Sequence, residues 1–362
     1  MNSTNATNTT IHDGEWEAFY AVEAFIIVAL SLLAVVTVVS NGVFLWTFYK
    51  DPLKCLRTPS AIVIAGLTSA NFLTGLIVEP AFVAFYLWQY VANEDDWAVF
   101  LRFAQAFSFV TMNTSFLLML ALAIIQYLLI KYPRVYQKAV SRRTTVCGVI
   151  AIWIYAIFFA LLPEMFHVDG FSYFLADMIL HVTLLTIVLV ILYIAIYFEF
   201  RKLAQRHRNA DLGQNPEGEG SVVEPSEPEQ QRRQAEKDFV YGTFILTLIL
   251  IITVWPFCIS LYITICCFSI EAYIAVVVTQ VFLLWKFAMD PFVFAWRLRK
   301  FRKSLVFAIQ GSCFCPKTSS LGAVYVREEA AASPRPEVDD EDVDVTVVDN
   351  RDAAEQQSQL QQ

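Results

Sequence analysis

Seven long apolar stretches constrain this chain more than any other feature of its sequence. The hydrocarbon core of a bilayer is about 30 Å thick, so a helix of about 20 apolar residues can cross it. Every stretch reaches that length, and the 57% hydrophobic content of the chain is typical of a membrane protein. The sequence therefore predicts an all-α membrane protein with seven transmembrane helices, numbered here as spans one to seven. The stretches cover about residues 20–49, 59–88, 98–131, 144–165, 173–200, 239–267 and 271–296.

Charged residues between the spans indicate how the chain is oriented. Lysine and arginine are concentrated after spans one, three, five and seven, for example between Lys131 and Arg143 and between Arg297 and Lys303. The opposite loops carry acids such as Glu94. Cytoplasmic loops are enriched in bases, so the N-terminus is predicted to be outside and the C-terminus inside. Three glycosylation sequons agree with an outside N-terminus, and their acceptor residues are Asn2, Asn5 and Asn8.

The segments around the spans differ in composition. Residues 1–19 are predicted to be an extracellular glycosylated segment, and residues 20–296 the seven-helix domain. Residues 209–236 and the acidic residues 316–362 contain too little apolar surface to order themselves, so both are predicted to be disordered. Residues 297–315 alternate apolar and basic side chains at helical spacing, which predicts a short amphipathic helix on the inner membrane surface. Its two cysteines, Cys313 and Cys315, are candidates for palmitoylation.

Span seven carries two opposite charges within apolar sequence. Lys286 and Asp290 are four residues apart, so they lie on the same side of a helix. One charge at the bilayer centre costs about 2.5–3.5 kcal/mol on an insertion scale. We therefore expect both side chains to face other helices and to pair with each other.

Short motifs occur along the spans in a specific order. Span two opens with Leu56-Arg57-Thr58-Pro59 and span seven closes with Asp290-Pro291 and Phe294. Over about residues 20–315 this order resembles that of the rhodopsin-like (class A) G-protein-coupled receptors, of which the chain would be a divergent member. The other matches are Ser40-Asn41 in span one, Asn71 in span two, Trp153 and Pro163 in span four, Tyr193 in span five, and Trp255-Pro256 in span six, where the tryptophan is one position late.

The resemblance implies a plasma-membrane receptor that transmits an extracellular signal inward. The ligand would be a small molecule or a peptide, and the inner partners a heterotrimeric G protein and arrestin. No cofactor, metal or nucleic acid is implied. The switch residues carried over from the family are Gln126, Tyr127, Tyr193, Glu236, Trp255, Pro256, Pro291 and Phe294.

One of these switch positions departs from the family pattern. The Asp-Arg-Tyr motif at the inner end of span three aligns with Ile125-Gln126-Tyr127, so the arginine that engages the G protein is replaced by a neutral amide. Glu236 stands where the family places the acidic partner of that arginine. A neutral donor makes a weaker hydrogen bond to a carboxylate than a charged one. The resemblance therefore implies atypical G-protein coupling.

A second departure concerns the sodium site of related receptors. Asn71 replaces its aspartate, Ser115 matches its serine, and Lys286 falls at a position of the same site beside Asp290. One hypothesis is that the Lys286 ammonium takes the place of the sodium ion. The alternative is an ion pair that serves helix packing alone.

The family alignment also suggests residues that face a ligand. Glu79 is an intramembrane acid that could meet a cationic ligand, or else a partly solvated residue near the outer end. Ser108 occupies the position at which amine receptors carry an aspartate, which argues against a monoamine. The full set of candidates is Glu79, Ser108, Met112, His181, Phe257, Leu261 and Gln280.

Other functions fit the sequence less well. A receptor that binds ligand without signalling, as a decoy or a dimer partner, remains open because of Gln126. A retinal photoreceptor would carry its lysine seven residues before the motif proline, whereas Lys286 is five before Pro291, a rotation of about 200°. A transporter is disfavoured by the absence of similarity between the two halves. No catalytic motif is recognisable, so no enzyme is predicted.

Overall fold

The computed structural model describes residues 3–51, 56, 58–91, 98–213, 227–267, 269–297 and 299–313, and these residues form helices and short turns without a strand. Seven helical segments are long and apolar enough to cross a membrane, which confirms the seven-span prediction. Spans one to seven are Tyr20–Lys50, Pro59–Trp88, Arg102–Lys131, Arg142–Phe166, Gly170–Lys202, Leu248–Cys266 and Ile270–Ala295.

Several helices continue beyond the membrane-crossing segments. Helix covers 209–213 and 227–236, so these two ends of the predicted disordered loop 209–236 continue the neighbouring helices, while residues 214–226 and 316–362 lie outside the described residues and their disorder stays a prediction. Extending an existing helix adds one hydrogen bond per residue without a new nucleation cost, so a span can continue into polar sequence. The α-helices are Ser3–Lys50, Pro59–Leu73, Glu79–Val91, Ala98–Lys131, Pro133–Ala139, Arg142–Phe166, Gly170–Asp177, Leu185–Gly213, Glu227–Cys266, Ile270–Arg297 and Arg299–Cys313.

Side-chain caps fix where spans two and four begin. The Thr58 hydroxyl accepts a hydrogen bond from the Ala61 backbone N–H at 3.3 Å, and Pro59 occupies the first turn, where it removes no helical hydrogen bond. Span four opens with a capping box in which the Ser141 and Thr144 side chains each accept from the other residue's backbone N–H. Both starts are encoded by local sequence.

Spans two and five each contain a π-helical segment, Thr74–Val78 and Met178–Leu184. The first lies just before Pro80, which lacks the N–H that a regular helix would use. Within it, Gly75 lets spans one and two approach closely, because a Cβ there would lie 2.7 Å from the Cβ of Thr37. A π-helical turn is wider than an α-helical turn, so it changes the direction in which the neighbouring side chains point.

Span three forms the centre of the bundle. In its most apolar part 67% of the residues are buried, against 11% in span four, whose outer face is left to the lipid. Phe116, Met119 and Leu122 of span three belong to the main apolar core, together with residues of spans one, two, five, six and seven. Polar side chains on span three are therefore surrounded by other helices.

The amphipathic helix after span seven forms as predicted, from Arg299 to Cys313. Its bases Arg302 and Lys303 are exposed, while Phe301 is buried. The Phe301 ring stacks on Phe44 of span one with 3.7 Å between ring centroids. This helix is therefore anchored to the bundle by an aromatic contact as well as by its amphipathic composition.

Candidate functional site

A cavity of about 390 Å³ lies among spans two, three, five, six and seven, on the extracellular side of the bundle centre. Its volume is within the range of small-molecule sites. Five of the seven predicted ligand contacts line it. They are Ser108 and Met112 of span three, Phe257 and Leu261 of span six, and Gln280 of span seven.

The polar groups among these predicted contacts already form hydrogen bonds within the protein. The Ser108 hydroxyl donates to the Gln105 carbonyl of its own helix at 2.7 Å. The Gln280 Oε1 atom accepts from the Tyr86 hydroxyl at 2.9 Å, which joins spans seven and two. The remaining walls are mostly aromatic and aliphatic. The cavity is therefore suited to a largely apolar ligand.

The other two predicted contacts do not line the cavity. Glu79 is buried between spans one and two, and its Oε1 atom accepts from the Thr37 hydroxyl at 3.1 Å. His181 lies behind the cavity wall, between Asp177 and Tyr155. Both residues lie in or directly after a π-helical segment, where the alignment to a regular helix gives the wrong side-chain direction.

Sequence reasoning overlooked two polar residues that do line the cavity, Asn113 and Asp177. The Asn113 Nδ2 atom donates to Asp177 Oδ1 at 2.7 Å, and His181 Nδ1 contacts the same oxygen at 2.9 Å. The signal was available, because Asp177 is an acid inside the fifth apolar stretch and an intramembrane acid is a functional candidate by default.

A second cavity of about 630 Å³ lies nearer the outer ends of spans three, four and five. Its lining includes Arg102, Glu164 and His167, so it is more polar than the first. The two cavities have Phe109 and Phe174 among their shared lining residues. The outer cavity is thus adjacent to the inner one.

On the cytoplasmic side of the inner cavity, four buried polar residues form a closed ring of hydrogen bonds. The Lys286 ammonium donates to Asp290 Oδ2 and to Ser115 Oγ, both at 3.0 Å. Ser115 Oγ donates to Asn71 Oδ1 at 2.8 Å, and Asn71 Nδ2 donates to Asp290 Oδ2 at 2.9 Å. All four lie almost entirely away from solvent. The residues grouped by sequence are therefore together in space, and the ring joins spans two, three and seven.

Two aromatic rings lie close to the ammonium. Lys286 Nζ lies 4.6 Å from the ring centroid of Phe287 and 5.2 Å from that of Phe116. Both distances are within the range of cation–π attraction. Phe116 also lines the inner cavity, so one side chain contacts both the cavity and the ion pair. Lys286 does not line the cavity.

The Ser40-Asn41 motif contacts the backbone of span seven beside its proline. Pro291 has no N–H to offer the carbonyl four residues earlier, that of Phe287. Asn41 Nδ2 donates to this carbonyl at 3.0 Å, and the Ser40 hydroxyl donates to the Ala288 carbonyl at 3.3 Å. A neighbouring helix thus satisfies a backbone group that the proline leaves without its helical partner, as a proline inside a membrane helix requires.

The predicted switch residues at the inner end occupy different environments. Gln126, Tyr193 and Phe294 are buried. Tyr127 accepts a hydrogen bond from Lys131 Nζ at 2.7 Å, and the same ammonium lies 3.6 Å from Glu199 of span five. These contacts link spans three and five near the cytoplasmic surface.

The span-six tryptophan does not occupy the core. Trp255 is 39% exposed on the lipid-facing surface, whereas Val254, the position at which the family has its tryptophan, is fully buried. The shift of one residue rotates the side chain by about 100° on a helix, which explains the outward position. Pro256 is partly buried and Pro291 is buried.

Some predicted sites lie where side chains are not described. Glu236 is in a helix, but its side chain and any contact with Gln126 lie outside the described part. The same holds for Asn5, Asn8 and Cys313, while Asn2 and Cys315 lie outside the described residues altogether. The glycosylation and palmitoylation of these residues stay predictions.

Seven crossing helices around an internal cavity and a buried ion pair define a seven-helix membrane protein of the receptor type. The chain belongs to the rhodopsin family of seven-transmembrane receptors, whose family model matches residues 40–294. It is a multi-pass protein of the plasma membrane. It is also 27% identical over 149 residues to G-protein coupled receptor 161 of Danio rerio. That match covers 40% of this chain and 27% of the relative, so the chain spans about a quarter of the relative's length.

Proposed function

We propose that this protein is a cell-surface receptor whose extracellular ligand occupies the inner cavity and changes the packing of the helices, so that the cytoplasmic face engages a heterotrimeric G protein or arrestin. The observation that carries the proposal is the position of Phe116. This side chain lines the cavity and also lies 5.2 Å from the Lys286 ammonium. A ligand that moves the Phe116 ring therefore acts directly on the ion pair.

The ion pair is a suitable point at which a ligand can act on the bundle. The ring of hydrogen bonds through Asn71, Ser115, Lys286 and Asp290 joins three spans. A ligand shifts a two-state equilibrium only by its different affinity for the two states. If the ring of hydrogen bonds is arranged differently in the resting and active states, Phe116 also differs between them. A ligand that contacts Phe116 then has a different affinity for each state. The name of the zebrafish relative supports a G protein as the inner partner.

The proposal includes atypical coupling, for which Gln126 is the reason. This side chain is fully buried at the inner end of span three, and it is neutral where related receptors have an arginine. A charge-assisted hydrogen bond is about twice as strong as a neutral one. The family arginine both engages the G protein and holds the resting state, so with the weaker donor Gln126 we expect weak or atypical coupling of the wild type to G proteins.

A G-protein activation assay on wild type, Gln126→Arg and Gln126→Met tests this point at matched surface expression. Gln126→Arg should strengthen G-protein activation several-fold, and Gln126→Met, which adds no charge, should not. Equal activation by wild type and Gln126→Arg would contradict the role given to the arginine. An equal rise in Gln126→Met would assign the effect to packing instead of charge.

The second candidate function is a seven-helix protein that binds ligand without signalling, as a decoy or as a dimer partner. The neutral, buried Gln126 favours it. It predicts no activation by wild type or Gln126→Arg with any class of G protein, while ligand binding in the cavity is retained.

We further propose that Lys286 acts as a tethered cation where related receptors hold an exchangeable sodium ion. Its ammonium has a carboxylate and a hydroxyl as neighbours, each at 3.0 Å, and Asn71 completes the ring. A covalently attached cation cannot be diluted, so the stability and signalling of the wild type should not depend on sodium. The packing alternative makes the same prediction for the wild type, and variants at Lys286 distinguish the two.

A further inference from the structure

Asp177 is the one ionisable residue among the residues that line the inner cavity. Its carboxylate is 1% exposed and lies at the first turns of span five. Oδ1 is the atom that Asn113 and His181 contact, and Oδ2 has no hydrogen-bond partner in the described part of the protein. A buried carboxylate with an unused acceptor is costly unless something donates to it.

The neighbouring amide presents a second unused acceptor. Asn113 Nδ2 donates to Asp177, and Asn113 Oδ1 has no partner among the described residues. Both residues line the cavity, so two buried acceptor oxygens without a described partner lie close to it, one on span three and one on span five. A group that carries several N–H donors, such as an ammonium, could satisfy both.

The contacts on the far side of Asp177 are consistent with a charged carboxylate. His181 Nδ1 lies 2.9 Å from Asp177 Oδ1, and His181 Nε2 lies 2.9 Å from the Tyr155 hydroxyl. A neutral histidine satisfies both contacts when Nδ1–H donates to the carboxylate and the tyrosine hydroxyl donates to Nε2. In that arrangement His181 places no positive charge beside Asp177.

The remaining walls suit an apolar body that carries one positive charge. Six phenylalanine rings line the cavity: Phe82, Phe85, Phe109, Phe116, Phe174 and Phe257. Aromatic faces attract cations and also pack against apolar groups. The terminal torsion of an aspartate is broad, so a turn of the carboxylate can bring Oδ2 toward a ligand while changing the present contacts of Oδ1 with Asn113 and His181.

We propose that the inner cavity binds a small amphiphilic amine, whose ammonium group pairs with Asp177 and Asn113 while its apolar body packs among the phenylalanine rings. This rests on the proposed receptor function only in taking the cavity as the ligand site. The acid that receives the amine stands on span five, so the lack of an acid at Ser108 of span three, which argues against a monoamine, does not exclude an amine in this cavity.

The test uses the full-length protein in lipid nanodiscs and matched pairs of probes. Phenylbutylamine, naphthylbutylamine and diphenylbutylamine are each compared with the alcohol of the same skeleton. Binding is measured from the ligand-dependent rise in the unfolding temperature, followed by tryptophan fluorescence. Wild type should prefer at least one amine over its alcohol by about tenfold or more, as expected for a hydrogen bond to a charged group.

Variants test whether Asp177 causes the preference for the amine over the alcohol. Asp177→Asn retains an acceptor for Asn113 and should reduce the preference to about twofold or less, while Asp177→Glu should keep most of it. Glu164→Gln makes the same chemical change in the outer cavity and should leave the preference unchanged. If Asp177→Asn does not fold, the comparison of amine with alcohol on the wild type still decides the question.

The inference is overturned if no amine binds better than its alcohol, or if Asp177→Asn keeps the preference. Binding is measured without a G protein, so the outcome of the binding assay is independent of signalling. Amine binding without G-protein activation would leave the inference intact and count against the proposed signalling. If a neutral ligand activates the G protein and no amine is preferred over its alcohol, the proposed signalling is supported and the amine inference is contradicted.

Discussion

Replacement of Lys286 by methionine should destabilise the bundle strongly. Methionine is of similar length but uncharged, so both 3.0 Å contacts of the ammonium are lost and Asp290 Oδ2 keeps only the hydrogen bond from Asn71 Nδ2 at 2.9 Å. Removing one partner of a buried ion pair costs about 3–5 kcal/mol. At about 2–4 °C per kcal/mol, the unfolding temperature should fall by roughly 6–20 °C.

Lys286→Ala separates the tethered-cation proposal from simple packing. Like Lys286→Met it breaks the ion pair, but it also leaves space beside three oxygen-bearing groups, those of Asn71, Ser115 and Asp290. Sodium should therefore bind in the alanine variant and not in the methionine variant. At a sodium concentration of ten times its Kd, the gain is about 1.4 kcal/mol.

The assay is thermal unfolding of the purified protein in nanodiscs, in sodium chloride and in potassium chloride at equal ionic strength. Sodium should raise the unfolding temperature of Lys286→Ala by about 3–6 °C relative to potassium, and should change neither the wild type nor Lys286→Met. The double variant Lys286→Met with Asp290→Leu removes both charges and should recover most of the lost stability.

Two results would refute this reasoning. Stabilisation of the wild type by sodium over potassium would show that Lys286 does not occupy the cation position. An equal response of Lys286→Ala and Lys286→Met to sodium would leave the ion pair with a packing role alone.

Further predictions concern how the helices are held together. Gly75→Ala should cost about 1–3 kcal/mol, because the new Cβ would lie 2.7 Å from the Cβ of Thr37. Gly148→Ala, which meets nothing within 4 Å, is the control, and equal unfolding temperatures in the two variants would contradict the close packing of spans one and two. Phe301→Ala should cost about 3–5 kcal/mol through loss of the stack on Phe44 and should raise hydrogen exchange in the helix Arg299–Cys313. Unchanged exchange there would mean that this helix does not depend on the aromatic contact.

Much of the site follows from sequence because it depends on local rules. Lys286 and Asp290 are on one face of any α-helix, and apolar sequence around them requires that they turn inward. The motif order then assigns Asn71 and Ser115 to the same level of the bundle, and the structure joins all four through hydrogen bonds of 2.8–3.0 Å.

The side-chain positions that differ from expectation have two local causes. The family alignment places His181 in the cavity, and Glu79 is a candidate because it is an intramembrane acid. Neither residue lines the cavity, and both lie in or directly after a π-helical segment, which changes side-chain direction. Trp255 matches the motif by letter, but one residue of offset turns it to the lipid-facing surface. Side-chain direction depends on the exact number of residues per turn, which composition and motif order do not specify.

The seven spans, their orientation, the amphipathic helix and the inward position of the span-seven charges all follow from hydropathy, charge distribution and helical periodicity. These properties depend on residues that are near each other in the chain, or on whether a residue faces lipid or water. The pairing of Asp177 with Asn113, and the double contact of Phe116, required the folded bundle. These contacts join residues of different spans, and their distances depend on how those helices rotate and pack. The sequence therefore predicts a receptor with a buried cation, and the structure adds the acid that we propose receives its ligand.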